Sequence, residues 1–113
     1  MNSDSQNPTN RSLISWDHLQ RAAECLKCIA HPMRLRIIEL LHSGEYSVGE
    51  LSRECGLNQP ATSEHLRLMS AHGLLGKERR NRRMYYHILD VQLEGILECI
   101  HKRYGKEDTY ENR

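Results

Sequence analysis

The sequence predicts a winged helix-turn-helix fold, mainly α-helical with a small β-hairpin, in the order ααααββα. Three observations carry this expectation. Two short helical stretches, 47–55 and 58–72, are joined through Gly56-Leu57, and each opens on a residue suited to cap a helix. A hairpin follows directly, with Lys77, Arg79, Arg80, Arg82 and Arg83 inside seven residues. An amphipathic helix stands at each end, over 16–30 and 90–104. A helix-turn-helix followed by a cationic hairpin is suited to set one helix in a DNA groove and grip the backbone beside it.

The elements follow in order. Residues 1–12 are polar and rich in Asn and Ser, and are expected to form a disordered tail. The helix over 16–30 rests on Leu19, Ala22, Ala23, Leu26, Ile29 and Ala30, which recur at steps of three and four. His31-Pro32 ends it, because the residue before proline avoids the helical region. Pro32 fits the first turn of the next helix. That helix runs to about residue 42, with Leu35, Ile37, Ile38, Leu40 and Leu41 on a broad apolar face, and Gly44 stops it.

Ser47-Val48-Gly49-Glu50 has the capping-box pattern S-x-x-E and opens the third helix, with Leu51 turned inward. Asn58 caps the fourth helix, Pro60 lies in its first turn and Gly73 terminates it. Leu74-Leu75 leads into the first wing strand, the tip falls near Asn81, and residues 84–89 return as a strand. Asp90 caps a last helix to about residue 104, with Val91, Leu93, Ile96, Leu97 and Ile100 inward. One domain is therefore expected over 13–105, with a flexible charged tail at 106–113. The first and last helices are more apolar than so small a core needs. Their expected partner is a second copy of the chain, giving a homodimer through those two helices.

The totals agree. The 113 residues allow one domain, and at 38% hydrophobic with no Phe they allow one small core. No run approaches the roughly 18 apolar residues of a membrane helix. The first residues lack an apolar signal core, so a cytoplasmic location is expected. The net charge is only +1, but residues 77–83 carry five positive charges against Glu78. A local patch is what phosphate contact requires.

The run from Leu26 to Ile88 resembles the ArsR-type family of bacterial winged-helix repressors. The features that carry the resemblance are Leu26-Lys27, His31-Pro32-x-Arg34-Leu35, Ser47-Val48-x-Glu50-Leu51, Gln59-x-x-x-Ser63-x-His65-Leu66, Gly73-Leu74-Leu75 and Tyr85-Tyr86. The resemblance implies a homodimeric repressor of a double-stranded DNA operator, released by a metal ion or a redox-active small molecule. This chain departs from the pattern in three places. Metal-sensing members carry two cysteines on the third helix where this chain has Ser47 and Gly49. A second family site uses carboxylates and histidines of the last helix, where this chain has Asp90, Gln92, Arg103 and Lys106. Redox-sensing members place a thiol in the second helix, where this chain has Ile37-Ile38-Glu39.

On the fourth helix, Thr62, Leu66 and Met69 are expected to face inward, with Gln59, Pro60, Ser63, Glu64 and Arg67 on the opposite side. Gln pairs with adenine, Arg with guanine, and Glu accepts from cytosine. Thr62 and Ser63 are candidates for phosphate contact, and His65 lies at the flank. On the wing, Arg80 and Arg82 near the tip are the expected contacts. The bland alternative for both surfaces is a solvated charged face.

Four cysteines are present, and a reducing compartment keeps them as thiols. Cys25 and Cys28 lie one turn apart on the first helix, and Cys99 lies on the last. If these helices pack together, the three thiols form a candidate sensor. It would take a metal ion such as Zn(II), Cu(I) or arsenite, or close into a disulfide or persulfide bridge. The competing reading is core packing, since cysteine is among the most buried residue types. The expected function is a sequence-specific DNA-binding regulator, a repressor released by a thiol-linked signal. The alternatives are a repressor without thiol sensing and a protein-interaction module on the same scaffold. No nucleophile–base pair or phosphate loop suggests an enzyme.

Overall fold

The structure, a computed structural model, describes residues 12–111, with side chains to Gly105. The expected tail at 1–12 lies outside the described residues but for Ser12. Helix α1 (Trp16–Ile29) is capped by Ser15, whose hydroxyl accepts the His18 N–H at 3.2 Å. Helix α2 (Pro32–Ser43) is capped by His31, whose Nδ1 accepts the Met33 N–H at 3.0 Å. Helix α3 (Val48–Cys55) opens on a complete capping box. The Ser47 hydroxyl accepts from the Glu50 N–H at 3.1 Å, and the Glu50 carboxylate accepts from the Ser47 N–H at 2.8 Å. Gly56, at φ 69°, ends α3 in a left-handed turn that favours glycine. Asn58 then caps α4 (Gln59–Ala71) through the Ala61 N–H at 2.8 Å. The helix-turn-helix thus forms from local hydrogen bonds that the sequence spells out.

Three strands form one antiparallel sheet in the order β1-β3-β2. Strands β2 (Leu75–Arg80) and β3 (Arg83–Ile88) are the wing, and β1 (Tyr46–Ser47) pairs Tyr46 with Tyr86 and Ser47 with Tyr85. The sequence reading has the hairpin but not β1, because two residues are too few to show an alternating pattern. The pairing matters: it fixes the wing against the residue that caps α3.

Helix α5 (Leu93–Glu111) starts three residues later than expected. Asp90 does initiate it, accepting the Gln92 N–H at 2.9 Å, but the following bonds span three residues and form tighter turns. Val91, expected to face inward, is 66% exposed in that turn. The backbone of α5 continues past the expected end near residue 104, and Gly105 does not interrupt it.

The core joins all the elements. Ile37 and Ile38 of α2, Leu51 of α3, Leu66 and Met69 of α4 and Leu74 before β2 are fully buried, with Leu93 and Leu97 of α5 close behind. Each such side chain contributes about 1.5–3 kcal/mol by burial. Helix α1 gives this core Cys28 and Ile29 from its last turn, with half-buried Cys25 packed against it. Trp16, Leu19 and Leu26 on the same helix are 72%, 41% and 54% exposed. Among the described residues no helix is long and apolar enough to cross a membrane.

Candidate nucleic-acid interface

Helix α4 is fastened to α3 from within. Thr62 Oγ1 donates to the Asn58 carbonyl at 3.0 Å and lies 2.9 Å from Ser52 Oγ, which also reaches the Val48 carbonyl at 2.9 Å. Thr62 is fully buried. Expected among the phosphate contacts, it is instead a polar bracket between the two helices, and its hydroxyl has no room for a ligand.

The outward side of α4 presents Gln59, Pro60, Glu64 and Arg67 to solvent, with Ser63 half-buried at its edge. Arg67 forms an ion pair with Glu64 one turn earlier. His65, expected at the flank of this face, turns the other way. Its ring is half-buried and its Nδ1 accepts from Nε of Arg34 at 3.0 Å.

The wing turns through Asn81 and Arg82, with φ of 51° and 68°. Two successive positive φ values match the right-handed twist of a tight hairpin. The register pairs Arg79 with Met84 and Lys77 with Tyr86, so these share one face; Glu78 with Tyr85 and Arg80 with Arg83 share the other. The first face continues the core, since Leu75 and Tyr86 on it are buried. Near the tip it looks across to α3 and α4.

There the two halves enclose an open cavity of about 480 Å³. Arg79, Arg82 and Arg83 line it from the wing, Arg53 from α3, and Gln59 and Ser63 from α4, with no carboxylate in the lining. Gly49 forms its floor: a Cβ there would meet the Gln59 amide at 3.5 Å. Four guanidinium groups around one notch create a local positive potential that draws anions. Glu50, just behind, is held below the usual carboxylate range by its hydrogen bonds from Ser47, with Arg83 and Arg53 adding to the effect.

Arg80 is the clearest departure from expectation. It points to the opposite face of the wing. Its Nη2 donates to the Glu45 carboxylate at 2.9 Å, its Nε lies 3.7 Å from Glu78, and its guanidinium stacks 4.2 Å from the centre of the Tyr85 ring. The Glu45 hydrogen bond is the main cause holding its pKa above the ordinary arginine value. The sequence reading favours Arg80 and Arg82, whereas the notch is lined by Arg79, Arg82 and Arg83. Counting alternate residues from the buried Leu75 finds Arg79. The contribution of Arg53 shows in sequence only as the α3 position one turn after Gly49.

The candidate sensor thiols differ in exposure. Cys28 is buried, Cys25 half-buried and Cys99 exposed on α5. Burial pushes the Cys25 thiol up, and the nearby Asp90 and Cys28 push it the same way. Among the described residues of one subunit no group of three or more His, Cys, Asp or Glu side chains is arranged to hold a metal ion. The positions that carry thiols in metal-sensing members serve elsewhere: Ser47 caps α3 and Gly49 floors the notch.

A helix-turn-helix with a cationic wing beside it defines the winged helix-turn-helix class of DNA-binding transcriptional regulators. The family model described as "Bacterial regulatory protein, arsR family" matches residues 31–77. The HTH-type transcriptional regulator YgaV of Escherichia coli is 37% identical over 86 residues, covering 75% of this chain and 87% of that one. The crystal structure of NolR from Sinorhizobium fredii superposes with a TM-score of 0.74 at 31% identity, over 84% of this chain and 98% of that chain. That of the transcriptional repressor BigR from Xylella fastidiosa gives 0.69 at 27% identity, over 81% and 97%. The chain belongs to the arsR family of bacterial regulatory proteins. Its activity is regulation through DNA, not catalysis.

Proposed function

We propose that the protein is a homodimeric repressor whose α4 enters the major groove of an operator while the wing grips the flanking backbone. The observation that carries this reading is the carboxylate-free notch between wing and α4, lined by Arg53, Arg79, Arg82 and Arg83. Gln59, Ser63, Glu64 and Arg67 are the proposed base-edge readers, with Pro60 at the helix start against the backbone. Thr62, His65 and Arg80 are left out of the interface, because Thr62 is buried and His65 and Arg80 turn away from it to partners on other elements. The homodimer is supported by the apolar side of α1, where Trp16, Leu19 and Leu26 have no cover in the single subunit. Two such subunits would present their α4 helices to half-sites about one helical turn apart.

The finer proposal is release by a thiol-linked signal, through oxidation or a metal ion shared across the dimer by Cys25, Cys28 and Cys99. Its support is the closeness of Cys25 to Cys28 and to Asp90 at the start of α5. The raised Cys25 pKa and the burial of Cys28 favour packing for those two, so exposed Cys99 is the reactive member of the set.

Fluorescence anisotropy with a duplex from upstream of its own gene tests both levels. Affinity should fall steeply with salt, by about 0.9 in log–log slope for each phosphate neutralised. A flat salt dependence would favour a protein-interaction module. Mild oxidation or Zn(II) should weaken binding of the wild type and not of Cys99→Ser. Equal binding in all states would leave the cysteines as packing.

A further inference from the structure

Helix α4 is held from behind by a polar clasp that the DNA face does not use. Arg34 of α2 donates from Nε to His65 Nδ1 at 3.0 Å and from Nη1 to the Cys28 carbonyl at 2.8 Å. The His31 ring meets the His65 ring nearly edge-on, with centroids 4.9 Å apart. One guanidinium therefore joins the last turn of α1, the first turn of α2 and the middle of α4.

The chain leaves room for this contact by its own chemistry. The Cys28 carbonyl would accept the N–H four residues on, but that residue is Pro32, which has none. The orphaned acceptor is satisfied by Arg34 instead. Arginine has donors only, so His65 Nδ1 must carry a lone pair and the ring proton must sit on Nε2. A proton on Nδ1 would set N–H against N–H and place a second cation beside Arg34. The charged and titratable groups around the ring are Arg34 from α2, His31 from the α1–α2 junction and Glu64 from α4 itself. Burial holds His65 below the ordinary histidine value; Arg34 and His31 act in the same direction and Glu64 opposes them.

We propose that Arg34 and His65 are positioning residues for DNA recognition, tying the setting of α4 to the end of α1 and releasing it when His65 takes a proton. This rests on the DNA-binding reading above. A change in α1 packing at a dimer interface would then reach α4 through the Cys28 carbonyl and Arg34.

The pH window follows from the sign of the shift. A histidine depressed in the folded state leaves the clasp whole above the free-imidazole value of about 6.5 and weakens it as pH falls below. The readout is therefore a comparison of wild type with a variant that cannot take a proton at position 65. In His65→Asn, the amide oxygen replaces Nδ1 as acceptor and does not titrate. Anisotropy with the upstream duplex and a random duplex, at about pH 7.5 and 5.5, should show wild type losing on the order of tenfold in affinity relative to His65→Asn. Arg34→Lys, which keeps the charge but not the two-pronged geometry, should lose preference for the upstream duplex at both pH values.

Parallel pH profiles for wild type and His65→Asn would overturn the clasp, as would an Arg34→Lys variant with lowered thermal stability but unchanged preference. NMR of the wild-type ring nitrogens needs no variant. It should find the Nε2–H form of His65 titrating below about 6.5; an Nδ1–H form would overturn the proposal. Failure of wild type to bind either duplex at about pH 7.5 would overturn the DNA-binding reading, and the clasp with it.

Discussion

The two faces of the wing use the same residue type for opposite ends. On the face toward α4, Arg79 lines an open notch with Arg53 of α3 and with Arg82 and Arg83 at the tip, Arg83 reaching it although its backbone pairs with Arg80, and no carboxylate shares the lining. On the other face, Arg80 is closed off by Glu45, Glu78 and the Tyr85 ring. The two residues are adjacent in sequence and indistinguishable in composition. What separates them is strand alternation, with its phase set by the burial of Leu75 and Tyr86. A cationic run is therefore two populations: cations left unneutralised where an anion is to bind, and cations paired to hold the hairpin.

The largest expected effect comes from emptying the open face. Arg79→Ala with Arg83→Ala should lower the log–log salt slope by about 1.8 per subunit, at about 0.9 for each phosphate no longer neutralised. Affinity for specific and random duplexes should fall together, and a slope equal to wild type would remove both residues from the interface.

Arg82 sharpens the comparison, because it lines the notch at a backbone angle that favours glycine. A non-glycine residue in the left-handed region costs about 1–2 kcal/mol. Arg82→Gly should therefore raise the thermal midpoint by about 4 °C, for about 1 kcal/mol gained, while weakening DNA binding. Loss of both stability and binding would show that the angle carries no cost here.

The smallest effect carries the most telling sign. Removing an acidic charge from a DNA-binding protein ordinarily strengthens phosphate attraction. If Glu45 serves to hold Arg80, Glu45→Gln should instead weaken binding about twofold to fivefold, as should Arg80→Ala, both with the wild-type salt slope. Tighter binding by Glu45→Gln, or a reduced slope for Arg80→Ala, would return Arg80 to the DNA-facing surface.

Much of the fold is legible because it is local. The Ser47–Glu50 box, the Asn58 cap and the left-handed Gly56 each act within a few residues, so sequence spacing reveals them. Strand β1 is hidden because its two residues pair with Tyr85 and Tyr86 almost forty positions away. The late start of α5 is hidden because Asp90 caps a tight turn as readily as a helix. Within the candidate site, the exposed Gln59, Pro60, Glu64 and Arg67 follow from helical periodicity. Periodicity also sets Thr62 on the inward side with Leu66 and Met69, but it does not reveal what Thr62 and His65 bond to. Both are polar residues on the same helix, and their partners Ser52 and Arg34 come from other elements.

The sequence by itself determined the order of elements, the helix caps, the arsR-type pattern and the presence of a concentrated positive charge. These depend on dihedral preference, hydrogen bonding over three or four residues, and composition, none of which needs distant parts of the chain. The tertiary structure alone decided which arginines face α4, that Arg80 is paired to Glu45, and that Arg34 closes on His65 and the Cys28 carbonyl. Those outcomes depend on which side of each element the core covers and on charges brought together from positions up to 35 residues apart.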